Sequence, residues 1–382
     1  MPGGAGAHDC LVSNSWSPIP GPAPAPVHIA LVELYRSHDE VLYPLLEAAR
    51  GLGAQVTLAV HPDIVERMDW TGSATVLTVE AEQPLPGRIR ALSALRREFR
   101  HRGVSHVVIN TLSSPPARDL ALLLRKDARV VGVVHDTRRL RGMGTLQWLA
   151  RVVDGFLVLG EHVLASVPRR HLPRVTPFVP GVAPIGPAAG LPRTAGEFRV
   201  CVPGHPEWDR KDYYALVRAV RDGLDPRIRF VLLGNTGADD AGAARLRAML
   251  EDDSLNGRLI SPKRFLAPGE FSGWARACDA VLPLIHPSCR AYPEFLDYRV
   301  SGSWNVAYAA GLPLLLERGF EKHPSLHPGT MFYDVDNLHG ALERAASDPG
   351  WGAALVAGRR EDGRFEPAVQ QARLAAALGV TA

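Results

Sequence analysis

Two short stretches of the sequence combine cations, serines and glycine in a way that suits anion binding. Ser301-Gly302-Ser303 precedes a helix of small residues, whose first backbone amides have no partner within the helix, and Gly302 lets the backbone approach a ligand closely. Arg210 and Lys211 stand at the predicted start of another helix, where positive charge opposes the helix dipole. A plain serine N-cap and a solvated helix end are the alternatives. The glycine and the two cations favour a bound anion.

A second group of ionisable residues follows two predicted strands. His135 and Asp136 come directly after the apolar run "RVVGVV". The first strand-to-helix turn, "ELYRSHDEVL", contains Glu33, Arg36, His38, Asp39 and Glu40. Such a turn suits recognition of a hydroxylated or charged molecule, and His38, Asp39 or Glu40 could act as a general base. Helix capping by Ser37 or Asp39 is the alternative.

Length and composition indicate an ordinary two-domain globular protein. The 382 residues exceed the usual size of one hydrophobic core, and 46% of them are apolar and 22% charged. A net charge of +3 does not argue for nucleic-acid binding. Cys10, Cys201, Cys278 and Cys289 lack the paired spacing of disulfide frameworks and zinc sites. With no signal-peptide pattern and no long apolar run, we expect a cytoplasmic protein.

Short apolar runs alternate with amphipathic segments along most of the chain, which predicts βαβ units and parallel sheets. The alternation is interrupted at 174–197, where the Pro and Gly content is incompatible with a regular element. We therefore expect an α/β protein of two Rossmann-like domains facing a central cleft, with ligands beyond the carboxyl ends of the strands. The predicted segments are a disordered tail at 1–26, an N-terminal domain at 27–180, a linker at 181–197, a C-terminal domain at 198–350, and helices at 351–382 that cross back toward the N-terminal domain.

The segment "GRIRALSALRREFRHRG" predicts a basic amphipathic helix. Ile89, Leu92, Leu95 and Phe99 fall on one side, and most of the arginines fall on the other. A helix that covers a sheet is the favoured interpretation, and peripheral contact with an anionic membrane is the alternative.

Five segments of the second half resemble nucleotide-sugar glycosyltransferases of the two-domain GT-B class, in particular the family 4-like retaining enzymes. The segments are "VCVPGHPEWDRKDYYALVRAV", "FVLLGNTGADDAGAARLRAML", "WARACDAVLPLIHPS", "AYAAGLPLLL" and "GTMFYDVDNLHGALERAASDP". In the first half only the alternation and "VVHD" match. The resemblance implies a GT-B fold with an N-terminal acceptor domain and a C-terminal donor domain. It also implies transfer of a sugar from a nucleoside diphosphate to an acceptor hydroxyl with retention, without a metal or other cofactor.

Roles for individual residues are predicted partly from the resemblance, as for Arg210, Lys211 and His135, and partly from the ionisable turn after the first strand, where the family usually has glycines. Cations and amides must stabilise the departing diphosphate as it gains negative charge. The predicted catalytic residues are His135, Arg210, Lys211 and His38. The predicted donor-binding residues are Gly204, Gly234, Glu294, Asp297, Ser301, Gly302 and Ser303. The predicted acceptor-binding residues are Glu33, Arg36, Asp39 and Glu40.

The sequence departs from this family at a pair of glutamates. Counting back from Gly311 of the Gly-x-Pro turn, the two positions are Val306 and Tyr298. Glu294 and Asp297, slightly upstream, are candidates for contact with the donor sugar or its ribose. Two alternatives stay open, namely an epimerase or hydrolase of nucleotide sugars on the same fold and a catalytically silent relative that binds a nucleotide sugar or a partner protein.

Overall fold

A computed structural model describes residues 27–68, 74–141, 149, 151–184, 186, 191–252, 255, 257–348 and 350–381. The tail predicted at 1–26 and part of the predicted linker lie outside these residues. The described chain forms two α/β halves, each built on its own parallel sheet.

The first half contains a sheet of seven parallel strands. The strands are β1 (His28–Glu33), β2 (Gln55–Val60), β3 (Thr75–Thr78), β4 (His106–Ile109), β5 (Arg129–Val134), β6 (Gly155–Val158) and β7 (Val175–Pro177), in the order β3-β2-β1-β4-β5-β6-β7. The helices are α1 (Asp39–Gly51), α2 (Pro62–Arg67), α3 (Leu85–His101) and α4 (Pro115–Leu124). All of β1 is buried, as expected of a parallel strand with both faces covered. Strand β7 corrects the expectation that no regular element forms within 174–197, because three residues suffice to pair with β6.

The second half contains six parallel strands in the order β10-β9-β8-β11-β12-β13. The strands are β8 (Phe198–Pro203), β9 (Ile228–Leu233), β10 (Leu259–Ile260), β11 (Ala280–Val281), β12 (Leu314–Glu317) and β13 (Thr330–Tyr333). The helices are α5 (Tyr214–Arg221), α6 (Ala241–Leu250), α7 (Pro268–Arg276), α8 (Tyr292–Asp297), α9 (Gly302–Ala310) and α10 (Leu338–Ser347). Helix α5 begins later than predicted, so Arg210 and Lys211 lie in the turn before it and not on its first residues. Their function therefore cannot be argued from the dipole of α5.

Two further helices, α11 (Trp351–Asp362) and α12 (Pro367–Leu378), end the described chain. Helix α12 packs on the first half, where Leu374 and Leu378 join the core formed with α1 and β1. The Gln370 side chain accepts a hydrogen bond from the Val179 backbone amide at 2.7 Å. The end of the chain therefore ties the second half back to the first.

Helix α3 has the amphipathic character that its sequence predicts. Leu92, Leu95 and Phe99 are buried in the core of the first half, whereas Ile89 is 38% exposed. Two of the arginines form ion pairs with carboxylates on α4 and on the turn after it. Among the described residues, no helix is long and apolar enough to cross a membrane.

Candidate functional site

A cavity of about 480 Å³ lies between the two halves. It is bordered by loops that follow β1, β4 and β5 in one sheet and β8 and β11 in the other. The strand order changes direction between β1 and β4 and again between β8 and β11, and ligands of open parallel sheets bind at such points. The topology thus brings the separate sequence stretches to one place.

The start of α9 forms one wall of this cavity. Ser301 is the N-cap, and its side chain accepts from the Ser303 amide at 3.3 Å. Gly302 is exposed between the two buried serines, and a Cβ at this position would meet no atom within 4 Å. All three residues line the cavity. The serine cap is therefore present together with an open approach to the first turn of the helix.

Lys211 lies beside this helix start. Its side chain is 8% exposed, and Nζ donates to the carbonyl oxygen of Pro203. Ser303 Oγ donates to the same oxygen at 3.4 Å. Burial lowers the pKa of Lys211 to about 8, although the nearby Glu207 carboxylate favours the charged form. Among the described residues, no carboxylate forms an ion pair with this cation, which is held against the cavity wall.

Arg210 also lines the cavity and is more exposed than its neighbour. Its Nε lies 2.6 Å from a carboxylate oxygen of Glu207, and its guanidinium carbon lies 5.9 Å from the centre of the Phe295 ring. The pair with Glu207 is exposed, so an anionic ligand can compete for this arginine at modest cost.

Two glycines shape the loops that carry these cations. Gly204 lines the cavity with φ at 97°, a left-handed conformation that favours glycine. A Cβ at Gly204 would lie 3.1 Å from Lys211 Nζ. A Cβ at Gly234 would lie 2.5 Å from the Gly204 carbonyl oxygen. Gly234, expected to bind the donor, does not border the cavity and instead allows close packing behind Gly204.

Two histidines meet on the opposite wall. The rings of His38 and His135 have centroids 4.1 Å apart. His135 Nε2 lies 2.8 Å from the Asn110 carbonyl oxygen, which can only accept, so Nε2 carries the proton and Nδ1 retains a lone pair. Burial, with the charge of His38, lowers the pKa of His135 to about 4. Burial opposes protonation of His38 too, but the Glu40 carboxylate 3.3 Å away outweighs it and raises the pKa of His38.

Glu33, expected to bind an acceptor, lies beneath this histidine pair. It is 1% exposed and accepts from Asn110 Nδ2 at 2.9 Å, from the Thr111 hydroxyl at 2.5 Å and from the Tyr35 amide at 2.9 Å. Asn110 Nδ2 also donates to the His38 carbonyl oxygen at 2.8 Å. Burial raises the pKa of Glu33 to about 7. The geometry therefore gives Glu33 a supporting position instead of ligand contact.

The other ionisable residues of the turn after β1 lie in different places. Glu40 borders the cavity, whereas Asp39 borders only a smaller cavity beside it. Arg36, also expected to bind the acceptor, lies outside both and pairs at the surface with Glu82 at 3.0 Å and Asp63 at 3.7 Å. Only part of the ionisable turn therefore faces the cleft.

Glu294 and Asp297 do not border the cavity. Glu294 accepts from Arg138 at 2.9 Å and from Arg299 at 2.7 Å. Asp297 pairs with Lys322 at 2.7 Å. The expectation that these carboxylates contact the donor sugar is not supported by the geometry, because their oxygens are already engaged by cations.

Several cavity residues were not predicted. Arg299 contributes from the second half and is held by an isolated antiparallel bridge to Asp136, which also brings the two halves together. Arg139 and Asn305 also border the cavity. Asn305 directly precedes Val306, the position reached by counting back from Gly311, but no feature of the sequence singled out Asn305 itself. No group of three or more potential metal ligands occurs within the described ranges.

No protein-family model matches this chain, and no curated protein matches it in sequence. Solved structures match over nearly the full length. Anabaena HepE in complex with UDP and glucose has a TM-score of 0.64 at 12% identity, over 92% of this chain and 99% of HepE. The glycosyltransferase SnogD from Streptomyces nogalater matches with a TM-score of 0.56 at 20% identity, over 92% of this chain and 99% of SnogD. A putative UDP-N-acetylglucosamine 2-epimerase from Listeria monocytogenes matches with a TM-score of 0.58 at 12% identity, over 93% of this chain and 96% of the epimerase.

The chain has the GT-B fold. The predicted arrangement of two Rossmann-like units facing a cleft is thereby confirmed. In this GT-B chain the cations and the α9 start belong to one unit and the histidine pair to the other, and both sets line the cavity between the units.

Proposed function

We propose that this protein is a glycosyltransferase that moves a sugar from a nucleoside diphosphate to an acceptor hydroxyl. The observation that carries the proposal is that Lys211 and Ser303 donate to the same Pro203 carbonyl oxygen. This shared acceptor places a buried lysine next to the open start of α9. A lysine charge, an accessible arginine and the positive end of the α9 dipole on one cavity wall suit a diphosphate better than a neutral ligand.

The diphosphate would lie against Lys211, Arg210 and the turn at 301–303. Charge grows on it as the bond to the sugar breaks, and donors already in position stabilise that charge without reorganisation. Gly204 and Gly302 leave room for the approach. These residues supply the leaving-group chemistry, and the proposal requires no metal or other cofactor.

The sugar and acceptor would lie toward the histidine pair. His135 is neutral at pH 7 and offers its Nδ1 lone pair to a hydroxyl of the donor sugar. The His38–Glu40 pair can accept a hydrogen bond from the acceptor hydroxyl, and it would take the hydroxyl proton as a general base if the configuration is inverted. Retention of configuration remains part of the proposal on the basis of resemblance.

Epimerisation or hydrolysis of a nucleotide sugar is the second candidate, favoured by similarity to the Listeria protein. A catalytically silent relative would bind the nucleotide without converting its sugar. Product analysis with and without an added acceptor separates these functions.

The first experiment is a thermal-shift panel with UDP, GDP, dTDP and ADP, because a ligand that binds the folded state raises apparent stability by mass action. We expect one or two of them to raise the melting temperature. No shift with any of the four would contradict the proposed function.

A further inference from the structure

A second cavity of about 220 Å³ adjoins the first. Its walls are mostly apolar and include Tyr43, Leu266 and Phe271. Phe271, Gly302, Asn305, Val306 and Glu40 border both cavities. A ligand that crosses from the polar cavity to the apolar one must therefore pass the first turns of α9.

Asn305 stands at this crossing with an unpartnered amide. The residue is 8% exposed, and its Oδ1 is buried without a hydrogen-bond partner. Among the described residues, it is the only one with such an atom that borders either of these two cavities. Buried polar groups nearly always have a partner, so this amide, on a residue that borders both cavities, is suited to hydrogen-bond a ligand there.

We propose that Asn305 binds the ribose hydroxyls of a nucleoside diphosphate. This inference rests on the proposed function. With the diphosphate at the start of α9 and the flat base in the apolar cavity, the ribose lies between them. A half-turn about the Cβ–Cγ bond exchanges the two ends of the amide, so Asn305 can donate to a hydroxyl or accept from one. Its neighbour Val306 offers neither possibility.

The test uses calorimetry on the full chain with the diphosphate that gives the largest thermal shift, and with its 2′-deoxy and 3′-deoxy counterparts. If that nucleotide is dTDP, its 3′-deoxy counterpart alone is used. We expect the wild type to prefer the hydroxylated nucleotide by about fivefold to tenfold, the usual effect of one hydrogen bond. In Asn305→Ala this preference should fall to about onefold. Asn235→Ala is the matched control, because Asn235 Oδ1 is also buried and unpartnered but Asn235 borders neither cavity.

The outcomes separate the two proposals. Absence of binding by every nucleoside diphosphate contradicts the proposed function itself. Binding without preference in the wild type, or a preference that persists in Asn305→Ala, overturns the role of Asn305 and leaves the proposed function standing. If Asn305→Ala does not fold, Asn305→Val is measured in its place, since it has similar bulk without the amide and the same loss is expected.

Discussion

Lys211 and Ser303 donate hydrogen bonds to a single acceptor, the carbonyl oxygen of Pro203 at the end of β8. One residue belongs to the turn before α5 and the other to the first turn of α9. Because they share an acceptor, the lysine charge and the helix start keep a fixed spacing. The spacing of cation and amides, which decides whether a diphosphate fits, is therefore set by the backbone of β8.

Lys211→Met should reduce kcat/KM by about 10² to 10³, as for loss of one donor to a developing anion. The folded protein should be no less stable at pH 7. The lowered pKa of Lys211 means that the charged form is disfavoured in the folded state, so removing the charge removes a cost. Steady-state kinetics and chemical denaturation measure the two effects. Lys322→Met is the control, since Lys322 pairs with Asp297 away from the cavity. Equal activity in both variants would contradict the assignment.

Nucleoside diphosphate binding should weaken as pH rises above about 8. The pKa of Lys211 is about 8 in the free protein, and a bound anion favours its charged form. The terminal phosphate is already ionised above about pH 7, so it does not account for this change. Calorimetry between about pH 7 and pH 9 should show affinity falling by up to about tenfold per pH unit in the wild type. In Lys211→Met we expect an affinity that does not change with pH. If affinity falls with pH equally in both proteins, a group other than Lys211 causes the pH dependence.

The sequence allowed the two sheets to be predicted because helix and strand periodicities are local properties. The alternation of apolar runs located most strands, but short elements such as β7, β13 and α8 escaped it. The polar stretches that follow β1, β5 and β8 were recognised for the same reason, since strand ends converge at one edge of a parallel sheet.

Which polar side chains face the cleft could not be predicted from the sequence. Glu33 and Glu294 have the right chemistry and lie near the cleft residues in the chain. However, Glu33 is buried and accepts a hydrogen bond from Asn110, and Glu294 pairs with Arg138 and Arg299, so neither carboxylate faces the cavity. These are long-range contacts, which no local pattern encodes. Asn305 was missed because an asparagine within a helix of small residues carries no signal until its neighbours are known.

Gly302→Ala should fold normally and bind the nucleotide less well. An added Cβ meets no atom within 4 Å, and alanine is the better helix former by up to about 1 kcal/mol. The methyl group would occupy the approach to the first amides of α9, and we expect Kd to rise by about tenfold or more, the loss of one charge-assisted hydrogen bond. Gly358→Ala in α11 is the control, because its Cβ also meets nothing within 4 Å and it does not border the cavity. Unchanged Kd in Gly302→Ala would exclude ligand contact at this turn.

Glu33→Gln should become more stable relative to the wild type as pH rises. The pKa of Glu33 is about 7 in the folded protein and about 4.5 otherwise, so between these values the folded state binds more protons. The wild type therefore loses unfolding free energy across this window, by up to about 3 kcal/mol for a shift of this size. Urea denaturation at about pH 5 and pH 8 measures the difference between the two proteins. Glu47→Gln, at an exposed pair with Arg50, should show no such change. A constant difference between wild type and Glu33→Gln would contradict the raised pKa.

His38→Gly should separate catalysis from stability. His38 adopts φ of 69°, a left-handed conformation that costs a residue with a side chain about 1 kcal/mol. Glycine relieves this strain but gains freedom in the unfolded chain, so the free energy of unfolding should change by less than about 1 kcal/mol. Turnover should fall by about 10² to 10⁴, the contribution of a general acid or base. Lys263→Gly is the matched control, because Lys263 has φ of 54° and borders neither cavity. Both variants should melt near the wild-type temperature, and only His38→Gly should lose turnover. Retention of full turnover in His38→Gly would remove His38 from the reaction and leave its left-handed backbone as a feature of the turn alone.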